Sequence, residues 1–335
     1  LGLEGEAQEQ ALTAWRRMNR SSAVESALLE EFAAVIGPEE ILARVERGLQ
    51  NNDASAPLLA ARVSDGHQRL AEARLRLSRM DAGVDAAIER VPASLRDDPG
   101  LIYERARWRL RSNMLDGALE LLDPPPPVSA ETADHWWRIK NWAARGALRQ
   151  GRAELAYRIA SSHGADSGVT MAEGEFLAGW IALRFLGDPE QAYCHFVRLY
   201  HNVSMPISLG RGAYWAGAAA RAMGREDWAQ QWFQVAAQYD TVFYGQMAGL
   251  QLGSMPVGTL EATAVVTPDQ QEAFRASDLV RVTRALAALE REDLLPFFFA
   301  ALRSNATSAA DYKQVGLLAQ ELGYPDQAIC TSRAA

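Results

Sequence analysis

Tyr214-Trp215-Ala216-Gly217-Ala218-Ala219-Ala220-Arg221-Ala222-Met223-Gly224-Arg225-Glu226-Asp227-Trp228-Ala229-Gln230-Gln231-Trp232-Phe233-Gln234-Val235-Ala236-Ala237 is the stretch on which the fold turns. Gly217 is small, and Ala229, twelve positions on, is small again. The bulky Phe233 and the small Ala236 follow, with the breaker Gly224 between the two halves. Two antiparallel helices approach closely only where their side chains are small, and a bulky residue fills the groove beside them. The spacing therefore predicts a tetratricopeptide-type helical hairpin.

The same spacing recurs outward from this stretch. Gly316, Ala328, Ser332 and Ala335 fit all four positions, with a weak third residue. Ala106, Ala118 and Leu122 fit three positions, as do Ala144, Ala156 and Ala160. Gly179, Ala192, Phe196 and Leu199 fit once one inserted residue is allowed. Apolar residues elsewhere keep helical spacing, as in Leu12, Trp15, Met18 or Leu279, Val282, Leu286, Leu289. Gly37-Pro38, Asp97 to Gly100, Gly187-Asp188-Pro189, Gly224 and Gly323 punctuate them, leaving room for about nineteen helices. The nearest thing to a strand is Ala264-Val265-Val266-Thr267, too short to build a sheet. The reading is all-α: a superhelical array of tetratricopeptide-like hairpins, an α-solenoid closed as a ring or open as a horseshoe.

Two places interrupt the array. Pro124 to Pro127 must be extended, and reads as a stiff spacer or as a ligand for a proline-binding domain. Residues 254–268 are poor in helix signal and read as a connector. The expected organisation is a hairpin domain over 1–253, that connector, and a short helical domain over 269–335.

Composition limits the function. The 335 residues carry a net charge of −8, which makes a poor partner for nucleic acid. Alanine supplies 59 residues, in keeping with closely packed helices, and only Lys140 and Lys313 are lysines. No run of about 18 apolar residues offers a transmembrane segment. Cys194 and Cys330 read as small buried hydrophobes rather than a metal motif or disulfide framework. The chain opens at Leu1 with no signal peptide, as a processed chain or a fragment would.

The sequence contains no phosphate-binding loop, dinucleotide fingerprint, nucleophile elbow or zinc-protease motif. Of the five histidines only His195 and His201 are close, and six residues apart they lie on different helix faces. No metal site and no cofactor is expected, and Glu173 and Glu175 read as solvated helix positions. The aromatic groups around Trp136, Tyr214, Trp228 and Phe243 read as core between hairpins or as contacts for a sugar or peptide. Gly245 interrupts a helical run, which points to close backbone approach by a neighbouring element.

Residues from about 135 to 253 resemble the superhelical part of the soluble lytic murein transglycosylases. The matching pieces run in order: Trp136-Trp137; Ala156-Tyr157 with Ala160; Glu175 to Arg184, which contains Gly-Trp-x-x-Leu-Arg; Pro206 to Gly217; and Thr241 to Ala248, which contains Phe-Tyr-Gly-Gln. The tail from 269 resembles that family's linker domain.

The resemblance implies a periplasmic, metal-independent enzyme that cleaves the MurNAc–GlcNAc bond of peptidoglycan and leaves 1,6-anhydro ends. In the family, one Glu in a Glu-Ser-x-Phe motif, followed by Gly-Leu-Met-Gln, does the chemistry. Neither motif occurs here; the only Glu-Ser is Glu25-Ser26, inside a hairpin segment. No catalytic residue is therefore assigned, and the chain alone is expected to be inactive. The expected function is the non-catalytic scaffold of such an enzyme. Its expected partners are glycan strands, a C-terminal lysozyme-like domain of the same polypeptide and other cell-wall proteins. Tyr244, Gln246, Arg211, Arg184 and Tyr214 are the candidate glycan or domain contacts. The alternatives are an independent helical-repeat adaptor for a protein or peptide, and an enzyme with an unfamiliar site.

Overall fold

The computed structural model describes residues 2–18, 23–254 and 264–332. The protein is all-α: twenty α-helices and no strand among the described residues. The breakers act as their chemistry dictates. Pro38, Pro99 and Pro189 each open a helix, and the Asp98 and Asp188 carboxylates accept from the backbone N–H groups of Leu101 and Gln191. Gly224 closes Pro206–Ala222 in the left-handed region (φ 73°). Residues 264–267 form no strand; the Thr267 hydroxyl and the Gln270 side chain build a capping box at the start of Pro268–Ala276.

The chain divides into two compact units, residues 1–256 and 257–335. Residues 255–263 of the expected connector lie outside the described residues. In the first unit every substantial helix contact joins sequence neighbours or next neighbours. Pro206–Ala222, for example, packs on Pro189–His201, Glu226–Ala237 and Phe243–Gln251. That one-dimensional order of contacts is how stacked hairpins bury their faces. The second unit has its own core of Val280, Leu295, Phe299, Leu302, Val315 and Leu318.

The small-residue positions sit at the helix contacts. A methyl on Gly217 would lie 2.9 Å from the Phe233 ring and 3.2 Å from the Ala229 carbonyl oxygen. One on Gly179 would lie 2.8 Å from the Phe196 ring. Ala106, Ala118, Leu122, Ala144, Ala156 and Ala160 are all fully buried. The inserted residue between Gly179 and Ala192 has a place as well. Ala182–Leu186 forms a π-helical turn, the standard way to absorb one extra residue without breaking a helix, and Gly187 ends it.

The last hairpin departs from the pattern. The nearest heavy atom to a methyl on Gly316 is Thr331 Cγ2, at 4.0 Å, so the approach is ordinary van der Waals contact. Thr331, not Ser332, is the buried residue, its hydroxyl satisfied by the Gln327 carbonyl. Ala335 lies outside the described residues.

These contacts separate two glycine substitutions. A methyl on Gly245 would overlap the Tyr239 carbonyl oxygen, so the backbone must move. Gly245→Ala should lose about 3 kcal/mol of stability. Gly316→Ala meets no obstacle and should gain about 0.5–1 kcal/mol from helix preference. Denaturant titration of the two variants checks both signs.

Candidate functional site

Pro206 opens a helix that places Arg211, Tyr214 and Trp215 within one turn. Gly245 lets Phe243–Gln251 start directly against Tyr239, and this sets Tyr244 beside them. The Tyr214 and Tyr244 rings are 5.5 Å apart between centroids, and Trp215 is 6.4 Å from Tyr244. The Arg211 guanidinium lies 4.6 Å from the Phe176 ring centre, within cation–π range. Burial pushes the Arg211 pKa down, while Tyr244 and Glu173 act the other way. Arginine stays charged throughout. The Arg211 Nε and Trp215 Nε1 hydrogens are buried with no acceptor among the described residues.

Three of the five sequence candidates thus meet: Arg211, Tyr214 and Tyr244, all half-buried. Gln246 is exposed, two residues from Tyr244 on the same helix. Arg184 is not brought to them by any contact. It is exposed on the π-helical turn, with no hydrogen-bond or ion-pair partner among the described residues.

Glu175 corrects the sequence reading. It is not a solvated position; only 2% of it is exposed. The Ala165 N–H donates to His163 Nδ1, so His163 Nε2 carries the proton and donates to Glu175 Oε1 at 3.2 Å. Tyr157 donates to His195 Nε2 at 3.0 Å, and His195 Nδ1 donates to Glu175 Oε2 at 2.6 Å. Arg198 adds a bond of 2.8 Å to Oε1. The network ties Ala153–Ser161, Gly168–Ile181 and Pro189–His201 together. Burial alone would raise the Glu175 pKa, but the bonds from His163, His195 and Arg198 outweigh it and hold it far below the usual carboxylate range. An ionised carboxylate with its oxygens taken is a staple, not an acid/base catalyst.

The signal for this was available in part. Residues two apart cannot share a helix face, so Glu173 and Glu175 could not both be on the solvated side. Glu173 is the exposed one, and it accepts from Trp137 Nε1 at 2.7 Å. His163 and His195 are likewise buried rather than surface residues. A methyl on Gly174 would come within 2.5 Å of the His163 ring, so this site needs glycine to admit the imidazole.

Lys140 is fully buried, and its ammonium donates to the Ser162 carbonyl and hydroxyl and to the Pro126 carbonyl, tying the proline spacer to the array. Burial pushes its pKa down to about 8. Cys194 and Cys330 are free and exposed, not buried. Cys194 lies on the face of its helix opposite the inward His195, Phe196 and Leu199.

No group of His, Cys, Asp and Glu among the described residues could hold a metal ion. No described helix is long and apolar enough to cross a membrane. No protein-family model and no curated protein matches the chain.

The staple has a pH signature. The folded pKa of Glu175 lies below its unfolded value of roughly 4.3, so its stabilisation is complete above about pH 5. It is lost progressively as the pH falls further. Glu175→Gln should cost about 3 kcal/mol at pH 7, and the gap to the parent should narrow below about pH 4. Urea titrations at a series of pH values check this; a gap independent of pH would contradict it.

Proposed function

We propose that the chain is the non-catalytic helical scaffold of a soluble lytic murein transglycosylase. In this reading the hairpins curve into a ring or horseshoe and residues 269–335 form the linker domain. A lysozyme-like domain of the same polypeptide cleaves the MurNAc–GlcNAc bond in the periplasm. The carrying observation is the meeting of Arg211, Tyr214 and Tyr244 on two adjacent helices, half-buried, beside the exposed Gln246 and Phe243. Partly exposed rings with a cation and an amide at their edge suit the apolar faces and polar rims of sugar units. The pieces that resemble the family also sit where backbone approach is tight, at Gly179, Gly217 and Gly245. The buried Glu175 network is locked in a structural role, which supports a chain that binds without cutting.

Incubation with purified peptidoglycan tests this. The chain should sediment with the polymer and release no 1,6-anhydro-muropeptides. Combining Tyr214→Ala and Tyr244→Ala should weaken sedimentation about tenfold, since each ring contributes on the order of 1 kcal/mol. Release of anhydro products would contradict the scaffold reading. Absence of both binding and release would favour the adaptor.

A further inference from the structure

A cavity of about 280 Å³ lies within the first unit, where Pro38–Gln50, Asp65–Arg79, Pro99–Arg111 and Ala133–Arg149 meet. Its lining carries three guanidinium groups, Arg107, Arg111 and Arg138, against one carboxylate, Glu104. Arg107 spends its charge on Glu104 at 3.1 Å, one helical turn away. Arg111 and Arg138 have no acidic partner among the described residues. Two unpaired cations therefore line one concave site in a chain whose net charge is −8. Low-dielectric walls concentrate such a field and attract an anion.

The walls say more about the ligand. Tyr103 and His135 lie ring against ring, with centroids 3.8 Å apart and planes tilted by 30°. Burial pushes the His135 pKa below its ordinary value, so this ring is neutral near pH 7 and adds no third free charge. Trp142 also lines the cavity and is 45% exposed, unusual for so large an apolar side chain. The Asn52 side-chain oxygen Oδ1 takes the Ser78 hydroxyl at 2.7 Å, and the Asn52 amide hydrogens have no acceptor among the described residues. Aromatic planes and a free amide donor favour an anion with an organic body over a bare inorganic ion. The planar guanidinium fork matches a carboxylate bidentately. The volume falls just under the usual range for drug-sized ligands, about 300–1,000 Å³, and limits the guest to a small molecule.

We propose that this cavity binds a small carboxylate-bearing molecule, the size of one sugar acid or a dipeptide, with Arg111 and Arg138 holding the carboxylate. Trp142 and the Tyr103–His135 pair flank its body, and the Asn52 amide donates to a hydroxyl or carbonyl on it. This site is separate from the Tyr214–Tyr244 face and does not depend on the scaffold reading.

Isothermal titration of the full chain tests it with four probes. N-acetylmuramic acid and the dipeptide alanyl-glutamate carry carboxylates. N-acetylglucosamine is the neutral counterpart of the first, and inorganic phosphate is the bare anion. At least one carboxylate probe should bind with Kd below about 1 mM, and at least tenfold more tightly than N-acetylglucosamine and phosphate. Arg111→Gln and Arg138→Gln, both at exposed positions, should each weaken that binding about tenfold without lowering the unfolding midpoint. The proposal is overturned if neither carboxylate binds below about 1 mM, if phosphate binds as tightly, or if both arginine variants bind like the parent. Failure here with peptidoglycan sedimentation intact would remove this site and leave the scaffold reading standing.

Discussion

Gly217 lies so close to Phe233 and to the Ala229 carbonyl that even a methyl group would crowd the contact. The same constraint recurs at Gly179 against Phe196 and at Gly245 against Tyr239. At Gly217 the approach brings two helices together, with Phe233 packed against the bare Cα. The order of packing follows from it. A helix that fits so tightly against its neighbours has its apolar face already covered, so contacts in the first unit stay between neighbours and next neighbours. The 59 alanines serve the same end, since a fully buried Ala at positions 106, 118, 144, 156 and 160 keeps the helices near. Phe196 and Phe233 fill what the small residues leave open, and both are essentially inaccessible to solvent.

Apolar contacts of this kind are not directional, and two polar ties supply direction. Glu175 gathers donors from two other segments, His163 on one and His195 with Arg198 on the other, and the Ala165 N–H fixes the tautomer of His163. Lys140 does the same for the proline spacer, which has no regular hydrogen-bond pattern of its own. Removing one partner from either tie would leave buried polar groups without a mate, a cost of about 1–3 kcal/mol for each group. That asymmetry is why such ties specify an arrangement more than they add to net stability.

Much of this was legible in residue spacing. The small–small–bulky pattern located the Gly217–Phe233 and Gly179–Phe196 contacts, and the single extra residue allowed in the second is absorbed by the π-helical turn. The breakers marked helix starts because Pro and Asp act through their own covalent chemistry. The polar ties were not legible, because Glu175 meets His163 and His195 across 12 and 20 residues. No local pattern encodes such a partner. Cys194 and Ser332 went astray for a simpler reason: one residue of shift along a helix turns a side chain by about 100°. Of the candidate site, Arg211, Tyr214 and Tyr244 came together because two of them share a turn and Gly245 docks the third. Arg184 did not, because the π-helical turn carries it outward. The arginine-lined cavity draws on four separate helices and left no mark in any one of them.

The Gly217–Phe233 contact is a steric limit that sets the hairpin. A double-mutant cycle measures it. Gly217→Ala and Phe233→Leu are each destabilising alone, the first by crowding and the second by loss of buried volume. If the limit is steric, the smaller Leu makes room for the new methyl, and the double variant loses at least about 1 kcal/mol less than the sum. Additivity within about 0.3 kcal/mol would contradict it, because the two residues would then not be sensing one another.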